Sequence, residues 1–102
     1  MKTYTVIVKD EVFDDINLLA DYIISLSTAE HAEAYTRMLV QEIQTLEYLA
    51  AMIPFSPWEL TKEYHPYAKA MVSRNRKWCI IFHIDGTFAV IDKLLPASML
   101  IK

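Results

Sequence analysis

The sequence of 102 residues predicts an α+β fold: an N-terminal strand, an antiparallel hairpin of two helices, then a three-stranded antiparallel meander. Helices are expected on one face of a small, mostly antiparallel sheet. Three observations predict it. Apolar residues alternate at the start of the chain, recur three or four apart between Val12 and Leu49, and return after Ala68 as runs rich in β-branched and aromatic residues around Asp85-Gly86.

The first strand is expected over Lys2 to Lys9, where Tyr4, Val6 and Val8 alternate with Thr3, Thr5 and Ile7. Asp10-Glu11 then opens a helix whose stripe is Val12, Phe13, Ile16, Leu19, Ala20, Ile23 and Ile24, with acids in the first turn where the helix dipole favours them. Ser25 to Thr28 interrupts the pattern. Ser27 and Glu30 match a capping box for a second helix, whose stripe is Ala32, Tyr35, Leu39, Ile43, Leu46 and Leu49 and which should run to about Met52, before Pro54. Pro54-Phe55-Ser56-Pro57-Trp58 turns the chain back to the sheet. Glu59 to Pro66 lacks a period and reads as loop, and Ala68 to Val72 as a short strand ending in the polar connection Ser73-Arg74-Asn75-Arg76.

Trp78 to Ile84 and Phe88 to Leu94 form a hairpin about which the chain is organised. With Asp85-Gly86 as a two-residue type I′ turn, Ile84 faces Thr87, and Phe82 pairs with Ala89, Ile80 with Ile91 and Cys79 with Asp92. One face then carries Trp78, Ile80, Phe82, Ile84, Ala89 and Ile91 and should pack on Ile16, Ile23, Tyr35, Leu39 and Leu46 of the helices. The other carries Cys79, Ile81, His83, Phe88, Val90 and Asp92. This mixed face is expected to be partly covered at best and to be where a partner or substrate sits. Pro96 should end the last strand, leaving Ala97 to Ile101 as a short helix or extended tail.

Length allows one domain, residues 1–102, with a single core. The chain is 54% apolar with one glycine, which excludes disorder and a glycine-rich phosphate loop, and it is more apolar than so small a domain can hide. Some of that surface is expected to meet another protein. No run approaches a membrane span, no signal peptide precedes the first strand, and Cys79 has no disulfide partner, so a cytoplasmic protein is expected. Charge is unevenly placed: −6 up to Trp58 and +3 from Glu59 onward. Lys69, Arg74, Arg76 and Lys77 concentrate positive charge at the open end of the hairpin, as an anion-facing surface or as ordinary solvated residues. Tyr64, Tyr67 and Trp78 nearby are candidates for stacking on bases.

Catalytic constellations are few. Cys79 and His83 share a face, but four residues of strand separate them by roughly 13 Å, too far for a thiolate–imidazole pair. His31, His65 and His83 lie on three different elements without ligand spacing, and neither a metal nor a cofactor is expected.

The order β-α-α-β-β-β, the Tyr4-x-Val6-x-Val8 strand, Tyr22-Ile23 and Ala32-x-x-Tyr35 in the helical hairpin, the helix-ending Pro54, and Trp78-x-Ile80-Ile81-Phe82-x-Ile84-Asp85-Gly86 followed by Val90-Ile91 resemble the RelE/ParE superfamily. Its members are bacterial toxins of type II toxin–antitoxin (plasmid stabilisation) operons. The resemblance spans nearly the whole chain and implies growth inhibition relieved by a cognate antitoxin, with a homodimer or a hetero-oligomer with the antitoxin as the assembly. RelE-like members are ribosome-dependent mRNA endoribonucleases, whereas ParE-like members inhibit DNA gyrase without cleaving nucleic acid. For the nuclease branch Lys69 matches the basic position on the strand before the hairpin, and His83 is the candidate general base, its plainer role being a strand histidine facing solvent. Arg74, Arg76 and Lys77 are the candidates for contact with the target or RNA. The arginine that usually follows the hairpin's first aromatic is Cys79 here, and Leu94 to Leu100 holds no Arg, His or Tyr, so the ParE-like branch is favoured. A binding module that keeps the fold without toxicity is the reading from another class.

Overall fold

In the computed structural model, which describes residues 2–99, the opening alternation forms β1 (Thr5–Val8). Asp10 and Glu11 begin α1 (Asp10–Leu26), and α2 (Ala29–Gln44) follows after two residues. The cap of α2 is Thr28, one residue beyond the expected Ser27. Ser27 still closes α1 by donating its N–H to the Ile23 carbonyl, so the extended residue is Thr28, whose Oγ1 accepts the His31 N–H at 3.0 Å.

Helical backbone does reach Met52, but as three pieces. Thr45 donates its hydroxyl to the Glu42 carbonyl at 2.5 Å, and back-bonding of this kind competes with the helical ladder. A turn of α-helix, α3 (Leu46–Leu49), and a 3-10 turn (Ala50–Met52) complete the run. The segment expected to be loop contains one more turn, α4 (Glu59–Lys62), where Thr61 Oγ1 donates to the Trp58 carbonyl and Lys62 pairs with Glu59 at 3.1 Å.

The sheet is built from β2 (Lys69–Val72), β3 (Trp78–Asp85) and β4 (Phe88–Pro96) as an antiparallel meander, with β1 beside β4 in parallel, giving the order β1-β4-β3-β2. The hairpin turn differs from expectation. Asp85 pairs with Phe88, so Gly86 and Thr87 are the loop residues; Gly86 has φ +62° and Thr87 a negative φ, the signs of a type II′ turn. Pairing moves by two residues, so that Phe82 faces Ile91 and Ile84 faces Ala89. A two-residue shift preserves the faces. Beyond Ile91 the ladder skips Asp92, and this bulge sets Ile80 opposite Leu94 and Cys79 opposite Leu95, not Asp92. The strand ends at Pro96, as expected, and a 3-10 turn (Ala97–Met99) follows; Leu100 and Ile101 lie outside the described residues.

The predicted core face is the core. Ile80, Phe82, Ala89 and Ile91 are fully buried against Val12, Ile16, Leu39, Ile43 and Leu46, with Tyr35, Trp78 and Ile84 at the margin. Ile23 is absent from this cluster, and Phe13 and Ile24 are about half exposed because only the Val12–Ile16–Leu19 line of α1 reaches the sheet. The opposite face is better covered than its mixed pattern suggested. Cys79, Ile81, Leu95 and Ala68 are buried there beneath Trp58, Leu60 and Tyr64, because the segment carrying α4 folds back over it.

Candidate functional site

The sheet separates the two candidate catalytic residues. Lys69 pairs with Phe82 across β2 and β3 and therefore shares its face, whereas His83, the next residue along β3, points to the other side. Lys69 is buried; its Nζ donates to the Ala50 carbonyl at 3.2 Å and lies 5.2 Å from the centre of the Phe55 ring. Burial lowers its pKa. The ammonium thus caps a carbonyl at the end of the helical run and packs on an aromatic face.

His83 has company that its spacing does not foretell. Its Nδ1 donates to Asp92 Oδ2 at 2.6 Å, since a carboxylate can only accept, and Lys9 Nζ stands 2.7 Å from Asp92 Oδ1. Asp92 is 1% exposed and lies two residues beyond Val90, the partner of His83, so alternation keeps it on this face, and it is the residue skipped by the ladder. The His65 ring stacks on that of His83, centroids 3.8 Å apart and planes 3° from parallel. His65 Nδ1 accepts the Tyr67 N–H at 3.0 Å. An imidazole oriented by a carboxylate is the geometry of acid–base chemistry, but this ring is covered by a second one and its side chain is 12% exposed. The contacts also tie β3, β4 and the residue between β1 and α1 together. His83 is accordingly not the solvent-facing strand residue of the plainer expectation. His65 was the residue missed: it is remote in sequence, and only the folding back of the α4 segment brings it here.

Arg74, Arg76 and Lys77 are brought together, exposed, on the turn between β2 and β3. Ser73 and Asn75 build that turn: Ser73 Oγ accepts the Trp78 N–H at 3.1 Å and donates to Asn75 Oδ1 at 2.6 Å, which also accepts the Lys77 N–H. Tyr35 of α2 fixes the turn to the helices, its hydroxyl oxygen accepting from Asn75 Nδ2 and Trp78 Nε1. Arg76 has φ +61°, a left-handed conformation costly for a side chain with a Cβ, so the turn holds this arginine against local preference. The stacking candidates are dispersed. Trp78 is spent on Tyr35 and Tyr64 on the second cluster, whereas Tyr67 is largely exposed.

Beside the turn runs an apolar groove. One part, about 380 Å³, lies among Leu18, Leu19, Tyr22, Leu94 and Pro96, with the Asp15–Lys93 pair (2.9 Å) on its wall; the Asp15 hydrogen bond raises the Lys93 pKa. The next, about 350 Å³, lies among Ile23, His31, Tyr35 and Lys77, and both share Leu19, Tyr22 and Trp78. Leu18 and Tyr22 are each more than 60% exposed at its rim. Cys79 is inert in this setting, since burial pushes its thiol up to about 11. Among the described residues no three His, Cys, Asp or Glu side chains converge to hold a metal, and no helix is long and apolar enough to cross a membrane.

No protein-family model matches the chain, and no curated protein matches it. Among solved structures, a chain of the chromosomal ParDE TA system from P. aeruginosa aligns with a TM-score of 0.78 over 92% of this chain and 96% of that one, at 15% sequence identity. At that identity the likeness is one of fold: the expected strand, two helices and sheet packed on them are shared nearly end to end.

Proposed function

We propose that this chain is the toxin of a type II toxin–antitoxin module, acting in the bacterial cytoplasm, held by a small cognate antitoxin and directed, as ParE-like toxins are, at DNA gyrase. The observation that carries the reading is the fold shared with a chain of a ParDE system over 92% of the length. The preference for gyrase over mRNA cleavage is supported by the separation of Lys69 and His83 onto opposite faces of the sheet, and by the tether of Lys69 to Ala50. Two groups that must act on one scissile phosphate cannot do so from opposite sides of a strand. The apolar groove along α1 suits an antitoxin segment, and the acids of α1, Asp10, Glu11, Asp14, Asp15 and Asp21, favour one carrying lysine or arginine.

Induced expression tests this directly. Growth should stop, plasmid supercoiling should relax while amino-acid incorporation continues, and co-expression of the adjacent small open reading frame should restore growth and co-purify with the chain. Ribosome-dependent cleavage of mRNA with supercoiling intact would replace this reading with the RelE-like one, in which Arg74, Arg76 and Lys77 contact RNA. Continued growth would leave a binding module of the same fold.

A further inference from the structure

We infer that a small pocket between α2 and the β2–β3 turn receives the guanidinium of an arginine supplied by a protein partner. Met38, Gln41, Glu42, Thr45 and Arg74 line it, around about 150 Å³. Small-molecule pockets are larger, roughly 300–1,000 Å³. The space suits one inserted side chain and not a cofactor.

Glu42 sets the chemistry. It is 7% exposed, yet only one of its oxygens is used: Oε1 accepts the Arg74 backbone N–H at 2.9 Å, while Oε2 is buried without a hydrogen-bond partner among the described residues. A carboxylate oxygen withdrawn from water and offered no donor favours a cationic donor that enters beside it. A guanidinium supplies such donors in a planar fork, and its three-carbon stem can lie along the Met38 side chain. The Arg74 side chain at the rim forms no ion pair among the described residues, so it stands as an internal competitor for the same oxygen. Charge favours delivery from outside. The chain up to Trp58, which includes α1 and α2, carries −6, so a basic segment is drawn to the α2 wall of the pocket, while Arg74, Arg76 and Lys77 on the turn opposite work against it. The inference stands apart from the toxin reading, because the pocket can be probed without knowing the target.

The probe is N-acetyl-arginine amide, titrated into the isotope-labelled full chain while NMR follows the Glu42 side-chain carboxyl carbon and the Arg74 amide. Both signals should shift saturably, and N-acetyl-lysine amide should bind more weakly. Glu42→Gln should weaken arginine binding roughly tenfold or more. That variant keeps an oxygen to accept the Arg74 N–H, so the turn stays in place and a folded amide spectrum verifies it. Arg74→Ala removes the competitor and should strengthen binding severalfold. The inference is overturned by equal affinity in Glu42→Gln, by the absence of a saturable shift at Glu42, or by preferential binding of N-acetyl-aspartate amide that Arg74→Ala abolishes, which would make this an anion site.

Discussion

Phe82→Ala tests whether the face of Ile80, Phe82, Ala89 and Ile91 is packed against the helices as the core. Phe82 is fully buried at the middle of β3, a strand flanked on both sides, with Ile91 opposite it on β4 and Leu39, Ile43 and Leu46 in the same cluster. Strands held on both edges cannot collapse into a void, so the loss should fall within the roughly 3–5 kcal/mol seen for buried aromatic deletions. A domain of this size is stable by only about 5–15 kcal/mol. With an unfolding entropy of about 2.1 cal/mol/K per residue over 102 residues, the melting temperature should drop by roughly 15–25 °C. Thermal unfolding followed by circular dichroism, with urea unfolding as a second measure, reads this out. Phe55→Ala is the control, 64% exposed on the segment that leads to α4, and should cost less than about 1 kcal/mol. A cooperatively folded Phe82→Ala protein melting within a few degrees of the parent would show that Phe82 does not lie in a close-packed core.

Reversing Arg74 and Arg76 to glutamate together should abolish growth arrest while changing stability by less than about 0.5 kcal/mol at each exposed site; arrest that survives in the folded double variant removes this turn from target contact. His83→Ala should cost about 1–3 kcal/mol, because Asp92 loses a hydrogen bond it makes while buried, but arrest should persist at matched soluble expression. Loss of arrest in a folded His83→Ala protein would instead assign the ring a part in the chemistry. Burial raises the Cys79 thiol from 9.0 to about 11, so the folded state holds that proton more tightly than the unfolded state. Its contribution is complete below about pH 9 and is lost as pH rises through about 11. Lys69 acts with the opposite sign, its lowered pKa adding stability as the pH climbs, so the measurement is the difference between parent and Cys79→Ala. The parent should lose stability over that interval more steeply than the variant, and parallel curves would refute it.

What was legible in the sequence was parity. Alternation assigns a residue to a face, and a turn misplaced by one position on each strand moves the pairing by two, so Ile80, Phe82, Ala89 and Ile91 stayed in the core although Asp85-Gly86 was the wrong loop. Local turn chemistry does not decide between Asp-Gly as type I′ and Gly-Thr as type II′, since both place glycine where φ is positive. The Asp92 bulge and the choice of Thr28 over Ser27 as cap are one-residue events that no period marks. Coverage of the second face was illegible for another reason. Trp58, Leu60 and Tyr64 are spaced without a helix or strand period, and their only signal was the presence of large apolar residues in a stretch read as loop.

The same parity constrains function more tightly than any single contact. Lys69 lies opposite Phe82, and Phe82 adjoins His83, so bringing Lys69 and His83 to one face would require a one-residue slip of β2 against β3, which would also turn Lys69, Met71 and their neighbours inside out. Acid–base chemistry on this chain is therefore confined to one face at a time. On the helix side Lys69 is an ammonium already bonded to Ala50; on the other side His83 is paired with Asp92 and roofed by His65. By contrast, the groove along α1 and the turn of Arg74, Arg76 and Lys77 are open and adjacent, joined through Trp78 and Lys77. A molecule whose two candidate catalytic groups, Lys69 and His83, are spent internally, and whose open surfaces are apolar and charged, is suited to binding other macromolecules. That is the physical ground on which the proposed toxin reading favours occupation of a target over its cleavage.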